Sequence, residues 1–233
     1  MYYRGKPLPI FILGVLLLAS CPAFTQSSKL NVLLFTADDL DRNTLGCYGS
    51  KVPDISPNLD KFAEEGIRFN HAFINASICV PSRAILATGL YGHNSGIMGF
   101  MKMKGYSSIP LIMEILRENN YRVGVLGKVS HSTPKETFTW DYSVDKEELG
   151  AGRSPGLYYD KAKDFFSECK EENRPFYFMV NSHDPHRPFF NPDEPLLRGS
   201  EPPSRIYSPE EIEVPGFLPD LPQVRLEMSY YYY

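Results

Sequence analysis

The stretch LNVLLFTADD, residues 30–39, joins a continuous apolar run to two adjacent carboxylates. An apolar run of this length, bounded by polar residues, predicts a buried strand over residues 30–36. The runs RVGVL at 122–126 and FYFMVN at 176–181 predict two further strands. A charged segment follows each of the three runs: the two carboxylates follow the first, and segments that contain histidine follow the other two.

Helical patterns separate these strands. Helices are predicted from Pro57 to a stop at Gly66, and over residues 81–88, 110–119 and 158–169. In the third helix Ile112, Ile115 and Leu116 are expected to face inward, and residues 67–73 predict one more strand. Strands that alternate with helices predict an α/β fold, a mostly parallel sheet with helices on both faces. In such sheets the site lies beyond the carboxyl ends of the strands.

The composition is that of a globular protein. The chain has 233 residues with 42% hydrophobic content, enough to bury a sizeable core. Its formal net charge of -4 provides no basic stripe, which argues against nucleic-acid binding. Any anionic ligand must therefore be held by a few local cations. Half of the 20 prolines fall between residues 185 and 222, a segment expected to run extended over the surface.

The first residues have the layout of a secretory signal. Arg4 and Lys6 precede an apolar run over residues 10–19, which is shorter than the ~20 residues that span a bilayer. We therefore expect residues 1–26 to be a signal peptide and residues 27–233 the exported domain, in the periplasm or outside the cell. Cys21 ends a lipobox-like LASC, so acylation at Cys21 is an alternative to simple cleavage and the sole expected membrane attachment. A buried N-terminal element is the structural alternative.

The cysteine count directs attention to a reactive thiol. With Cys21 set aside, Cys47, Cys79 and Cys169 are an odd number for an oxidising compartment, so at least one is expected outside internal disulfides. Cys47 and Cys169 are expected to be packing residues.

The segment CVPSRAILATG, residues 79–89, carries the strongest motif. It resembles the C-x-P-S-R…T-G signature of the type I sulfatases. The resemblance implies an alkaline-phosphatase-like fold, and oxidation of Cys79 to Cα-formylglycine by a separate maturating enzyme. Pro81 can begin a helix whose free N–H groups favour an anion, with Arg83 one turn after Cys79 on the same face. Without the motif, Cys79 would be taken as a small buried hydrophobe and Arg83 as a solvated charge.

Asp38 and Asp39 predict a cation site, because adjacent carboxylates repel each other unless a cation neutralises both. Oxygen ligands suit Ca²⁺, with Mg²⁺ as the second choice. A helix N-cap is the alternative reading of a bare aspartate pair. The sulfatase resemblance implies that Asp38, Asp39 and the modified Cys79 bind the metal.

The resemblance also assigns roles in the segments GKVSH, residues 127–131, and SHDPHR, residues 182–187. It implies that Lys128 contacts the sulfate, that His131 contacts the hydrated formylglycine, and that His186 contacts the sulfate and the bridging oxygen. Arg187 is expected to contact the substrate, and His183 to orient a neighbouring group. The K-x-x-H spacing of Lys128 and His131 is that of iduronate-2-sulfatase-like members, where many others have K-x-H.

Together these features predict a hydrolase of sulfuric esters or sulfamates on a sulfated, glycosaminoglycan-type sugar. Segments such as NHAFINASICVPSRA look most like heparan N-sulfatase (sulfamidase) members. Family members continue beyond this length, so we expect a C-terminal part with further metal ligands to be missing and the 233-residue product to be weakly active or inactive. Two alternatives are a phosphodiesterase of the same superfamily, which would use Ser or Thr in place of Cys79, and an inactive exported remnant or sugar-binding fragment.

Overall fold

The sheet forms the centre of the computed structural model, which describes residues 29–103 and 108–232. Its four strands in this part of the chain are β1 (Val32–Thr36), β2 (Arg122–Leu126), β3 (Tyr142–Val144) and β4 (Phe176–Asn181). Their spatial order is β1-β4-β2-β3, and every neighbouring pair is parallel. The predicted parallel α/β sheet is confirmed. All carboxyl ends therefore meet at one edge of the sheet.

The helices lie between and after the strands. Those described are α1 (Pro57–Glu65), α2 (Cys79–Thr88), α3 (Gly92–Ser95), α4 (Ile112–Glu118), α5 (Pro155–Glu171) and α6 (Pro222–Tyr231). Short 3-10 turns occupy Arg42–Thr44, Gly46–Tyr48 and Lys146–Glu148. The predicted helix starting at Pro81 begins two residues earlier, at Cys79, so that the cysteine itself belongs to the first helical turn.

Alternation along β4 builds a core on each face of the sheet. Tyr177 and Met179 pack into the cluster that contains α2 and α4, whereas Phe178 and Val180 pack into the cluster that contains α5. Phe165 of α5 stacks on Phe178 with ring centroids 4.1 Å apart. Side chains of period two in a strand point to opposite faces, and this doubly covered sheet holds the strand ends in place.

Three expectations about local structure are wrong. Residues 67–73 form no strand: Ile67 is 86% and Phe73 90% exposed, so the run is apolar without lying in the sheet. In α4 Leu116 packs against the core as expected, but Ile112 and Ile115 are 42% and 46% exposed, because Met113, three residues before Leu116, shares its inward face. β1 is an edge strand rather than a buried one, and Leu33 and Phe35 are more than half exposed.

The proline-rich segment runs without helix or strand from residue 185 to residue 221, as expected. It is anchored by Tyr207 and Ile212, which are buried against Val52 and Tyr232. The chain then enters α6, which the sequence did not predict. Tyr231 of α6 donates a hydrogen bond to the backbone oxygen of Asp39 at 3.2 Å, so α6 contacts the segment that follows β1.

Chain contacts define two units, Met1–Leu30 and Asn31–Tyr233. The predicted signal peptide with Cys21 lies outside the described residues. Within residues 29–103 and 108–232, no helix combines the length and apolar character needed to cross a bilayer.

Candidate functional site

Helix α2 begins at Cys79, which is half-buried and carries a free thiol, as do Cys47 and Cys169. Ile78 occupies the N-cap position and supplies no side-chain cap, so the first backbone N–H groups of α2 are left for another partner. Val80 and Ala84 fix the helix against the core. The cysteine is therefore held at the positive end of a packed helix.

Asp38, Arg83 and Lys128 form a buried charge cluster at the carboxyl ends of β1 and β2. All three are no more than 9% exposed. The Lys128 ammonium pairs with one oxygen of Asp38, and Arg83 Nη2 lies 3.8 Å from the other. Burial lowers the pKa of Arg83, while Asp38 acts against that shift. Two cations share one carboxylate, which leaves a positive excess suited to an anionic ligand.

His131 lies near this cluster and is half-buried. Its Nδ1 atom is buried and has no hydrogen-bond partner among the described residues. Burial and the charges of Lys128 and Arg83 lower the pKa of His131. The ring is therefore neutral at pH 7, and it can accept a proton.

Asp39 and His186 form a second, more exposed pair. His186 Nε2 lies 3.8 Å from Asp39 Oδ2, and the two side chains are 41% and 64% exposed. His186 Nδ1 is 2.6 Å from the backbone oxygen of Arg187 and donates to it, so Nε2 is the ring nitrogen left for another partner. Arg187 is 68% exposed and pairs with Glu227 at 2.6 Å.

His183 and Arg153 support the segment that carries His186. Arg153 Nε donates to Asp184 at 2.7 Å, and its Nη2 donates to the backbone oxygen of His186 at 2.6 Å. His183 is buried, and burial together with the charges of Lys128 and Arg153 lowers its pKa to about 4. The hydroxyl of Tyr158 lies 3.5 Å from His183 Nδ1. Sequence reasoning missed Arg153 and Tyr158, because neither belongs to a recognisable motif.

A cavity of about 830 Å³ opens beside these groups. Of the predicted site residues, Lys128, His131, His186 and Arg187 line it. Asp38, Asp39, Cys79 and Arg83 do not. The structure thus brings Asp38, Arg83 and Lys128 together, and of these three Lys128 lines the cavity together with the histidines.

The same residues fit a metal ion only in part. No group of three or more His, Cys, Asp or Glu side chains that could hold a metal occurs in the described ranges. Asp38 already pairs with two cations, and Asp39, whose backbone is left-handed with φ 62°, has a 64% exposed side chain that lies 3.8 Å from His186. Ca²⁺ takes about 6–8 oxygen ligands. Asp38 and Asp39 can therefore contribute part of a shell and do not form one alone.

The parallel sheet, covered by helices on both faces, matches solved structures of the alkaline-phosphatase-like α/β fold, as the sequence predicted. The chain belongs to the sulfatase family, whose model, described as "Sulfatase", matches residues 30–202. This confirms the family that the CVPSR motif indicated.

Two human relatives and one solved structure illustrate the similarity. The chain is 29% identical to human N-sulphoglucosamine sulphohydrolase over 249 residues, 97% of this chain and 47% of that protein. It is also 29% identical to human iduronate 2-sulfatase, over 89% of this chain and 45% of the relative. A protein solved in complex with its substrate D-glucosamine-2-N,6-O-disulfate has a TM-score of 0.58 and 23% identity, over 70% of this chain and 36% of its own. The chain spans about half the length of the curated relatives that it matches.

Proposed function

We propose that this chain carries the reactive half of a sulfatase that hydrolyses sulfuric esters or sulfamates of a sulfated sugar. The observation that carries the proposal is the start of α2, where Cys79 opens the helix and Arg83, one turn later, is buried against Asp38 beside Lys128. A protein binds sulfate through several cationic hydrogen-bond donors that are shielded from water, and this cluster provides two, Arg83 and Lys128.

The nucleophile in this proposal is Cys79 after its conversion to formylglycine by a maturating enzyme. One hydroxyl of the hydrated aldehyde attacks sulfur and loses its proton while the bond from sulfur to the sugar oxygen or nitrogen breaks and that atom gains a proton. Loss of the proton from the second hydroxyl then breaks the C–O bond to the bound sulfate and restores the aldehyde, which water hydrates again. A divalent ion, Ca²⁺ or Mg²⁺, held in part by Asp38 and Asp39, would add positive charge beside the sulfuryl oxygens. The modified Cys79 would be a third ligand, and the rest would come from outside the described residues.

The protein's own side chains then have separable tasks. Arg83 and Lys128 hold the sulfuryl oxygens by charge-assisted hydrogen bonds. In its protonated form, His186 keeps the Nδ1 proton on the oxygen of Arg187 and gives the Nε2 proton to the sugar oxygen or nitrogen as the bond of that atom to sulfur breaks; Lys128 is the alternative donor. His131, kept neutral by its surroundings, takes the proton from the second hydroxyl.

The substrate class is proposed from the relatives and from the cavity wall. N-Sulphoglucosamine sulphohydrolase and iduronate 2-sulfatase are named for sulfated sugars, and the cavity of this chain is lined by Arg187 and three histidines. We infer a glycosaminoglycan-type sulfated sugar, with Arg187 in contact with it. We also propose export through residues 1–26, with an acyl anchor at Cys21 as its alternative form.

The test is expression of the full-length protein that carries this chain, together with a formylglycine-generating enzyme. The tryptic peptide of residues 69–83 contains Cys79 as its sole cysteine, so its mass reports the conversion directly. Sulfate release is then measured on defined heparin and chondroitin disaccharides. Cys79→Ala should abolish release, whereas Cys47→Ala, at another half-buried free thiol, should leave it unchanged. An unconverted thiol, or release that persists in Cys79→Ala, would refute the proposal.

A further inference from the structure

Asn181 is a polar residue in a place that favours apolar ones. It ends β4, whose preceding residues are FYFMV, and it has no exposed surface. Its strand lies between β1 and β2, with Thr36 opposite it in register. A buried amide is costly unless its two N–H donors and its oxygen find partners. The hydrogen-bond partners of the Asn181 amide therefore indicate the role of this residue.

Every hydrogen-bonding position of the amide is used. Nδ2 donates to the backbone oxygens of Leu126 at 3.1 Å and Gly127 at 2.9 Å. Oδ1 accepts from the hydroxyl of Thr36 at 2.7 Å and from Arg83 Nη1. Turning the amide over would set its donors against the guanidinium and its oxygen against two carbonyls. The side chain consequently has a single acceptable orientation.

The acceptor side of Asn181 fixes Arg83. Nη1 of Arg83 lies between Asn181 and Thr36, whose hydroxyl is 3.1 Å away, and Nη2 lies 3.8 Å from Asp38. Arg83 comes from α2, whereas Thr36 and Asn181 end two adjacent strands. The guanidinium is therefore held by the sheet as well as by its own helix.

The donor side of Asn181 fixes the peptide that leads to Lys128. Gly127 and Lys128 are consecutive residues in the left-handed region, with φ of 64° and 51°. That conformation is unfavourable for lysine and requires support from its surroundings. The hydrogen bond from Asn181 Nδ2 to the backbone oxygen of Gly127 stabilises the peptide group that joins these two residues. The ammonium of Lys128 thereby reaches Asp38, beside Arg83.

We propose that Asn181 is a positioning residue that sets Arg83 and Lys128 at the mutual spacing required to bind a sulfuryl group. This role rests on the proposed function, because it assumes that these two cations hold the sulfate. A role in stability alone would make Asn181 variants unfold more easily without changing their affinity for the anion.

Calorimetric titration with inorganic sulfate, combined with thermal unfolding in its absence, separates the two roles. Asn181→Leu removes all four hydrogen bonds at similar side-chain volume. It should weaken sulfate affinity about 10- to 100-fold, the usual effect of losing hydrogen bonds to charged groups. Phe178→Leu is the matched control, since Phe178 is equally buried in the same strand but packs in the cluster that contains α5. It should lower the Tm and leave the sulfate dissociation constant unchanged. Asn181→Ala serves if the leucine variant does not fold.

A double-variant cycle tests whether the effect passes through the cations. In an Arg83→Met background, Asn181→Leu should weaken sulfate binding by a smaller factor than in the unmutated chain. Unchanged affinity in Asn181→Leu, or an equal loss in Phe178→Leu, overturns the positioning role. Absence of sulfate binding by the unmutated chain counts instead against the proposed function, on which the role depends.

Discussion

Asp38 is a buried carboxylate whose charge is balanced by Arg83 and Lys128. Removing one partner of a buried ion pair typically costs about 3–5 kcal/mol, because the remaining charge is left without compensation. In Arg83→Met, Lys128 still faces Asp38, so we expect a smaller loss of roughly 2–3 kcal/mol in the free energy of unfolding. Urea denaturation measures this loss.

Arg187→Met is the matched control for Arg83→Met. The ion pair of Arg187 with Glu227 is exposed on both sides, and such pairs contribute about 0–1 kcal/mol. Equal destabilisation by the two variants would show that the charge cluster around Asp38 is not buried in solution.

His183 should make the stability of the chain depend on pH. Its pKa is about 4 in the folded protein against 6.5 for the free side chain, because burial and nearby cations disfavour its charged form. The unfolded chain therefore binds more protons between these values, and stability is lost as the pH falls from 6.5 towards 4. Above pH 6.5 the residue contributes no slope.

The measurement is the free energy of unfolding as a function of pH. His183→Asn should remove a slope of about 1.4 kcal/mol per pH unit in the acidic window. His93→Gln, at an exposed histidine stacked on Tyr91, should retain that slope. Asp184, whose pKa is raised by burial, acts in the opposite sense in all three proteins. Identical slopes in His183→Asn and the unmutated chain would rule out this assignment.

At the residue scale, the sequence predicts site residues where they lie close together in one short motif. Cys79 and Arg83 belong to one contiguous motif, as do Lys128 and His131. Asn181 was overlooked because its partner Arg83 lies 98 positions away and its bonds exist only after the strands have paired. Whether the predicted residues act as assigned stays a prediction.

Among the elements, β2 meets α5 at a position where no side chain fits. A Cβ atom added at Gly124 would lie 2.6 Å from a ring carbon of Phe165 and 2.9 Å from one of Phe178. Overfilling a packed core costs about 1–3 kcal/mol. We therefore expect Gly124→Ala to lower the free energy of unfolding by that amount, as measured by urea denaturation.

Gly216→Ala provides the comparison, because nothing lies within 4 Å of its added Cβ. It should change stability by less than about 0.5 kcal/mol. Phe165→Leu combined with Gly124→Ala should recover part of the loss, if contact with this ring is its cause. Unchanged stability of Gly124→Ala would mean that Phe165 of α5 lies farther from Gly124 than the 2.6 Å separation from its added Cβ implies.

Element prediction succeeded where hydrophobic runs coincide with buried strands. Residues 122–126 and 176–181 were assigned correctly because both faces of β2 and β4 are covered. The run at 67–73 failed because apolar composition alone does not supply a pairing strand. β3 was not predicted because its three residues are too few for a periodic pattern. α6 was not predicted because the proline-rich segment before it obscures the helical pattern.

At the scale of the whole molecule, the described residues give little reason to expect tight metal binding. They offer two adjacent carboxylates, of which Asp38 is already paired, and no larger group of ligands. We expect calorimetry with Ca²⁺ on the 233-residue chain to give a dissociation constant in the millimolar range or weaker. Asp39→Asn should abolish what binding there is, and Asp54→Asn, an exposed aspartate paired with Arg205, should not. Micromolar affinity would contradict this expectation.

The fold class was predictable because alternating strands and helices leave few topologies, and the family was predictable from one motif. Strand order was less accessible. β4 lies between β1 and β2 although it comes last in sequence among the four described strands, so the site is assembled from segments that are remote in sequence.

Among residues 29–103 and 108–232, β1 pairs with β4 alone, and its side chains Leu33 and Phe35 are more than half exposed. The exposed backbone of such a strand can pair with a strand of another molecule. During purification of the 233-residue chain, self-association should therefore grow with concentration. A lysine at Leu33 would discourage it by placing a charge on the lateral surface that a docking strand must cover.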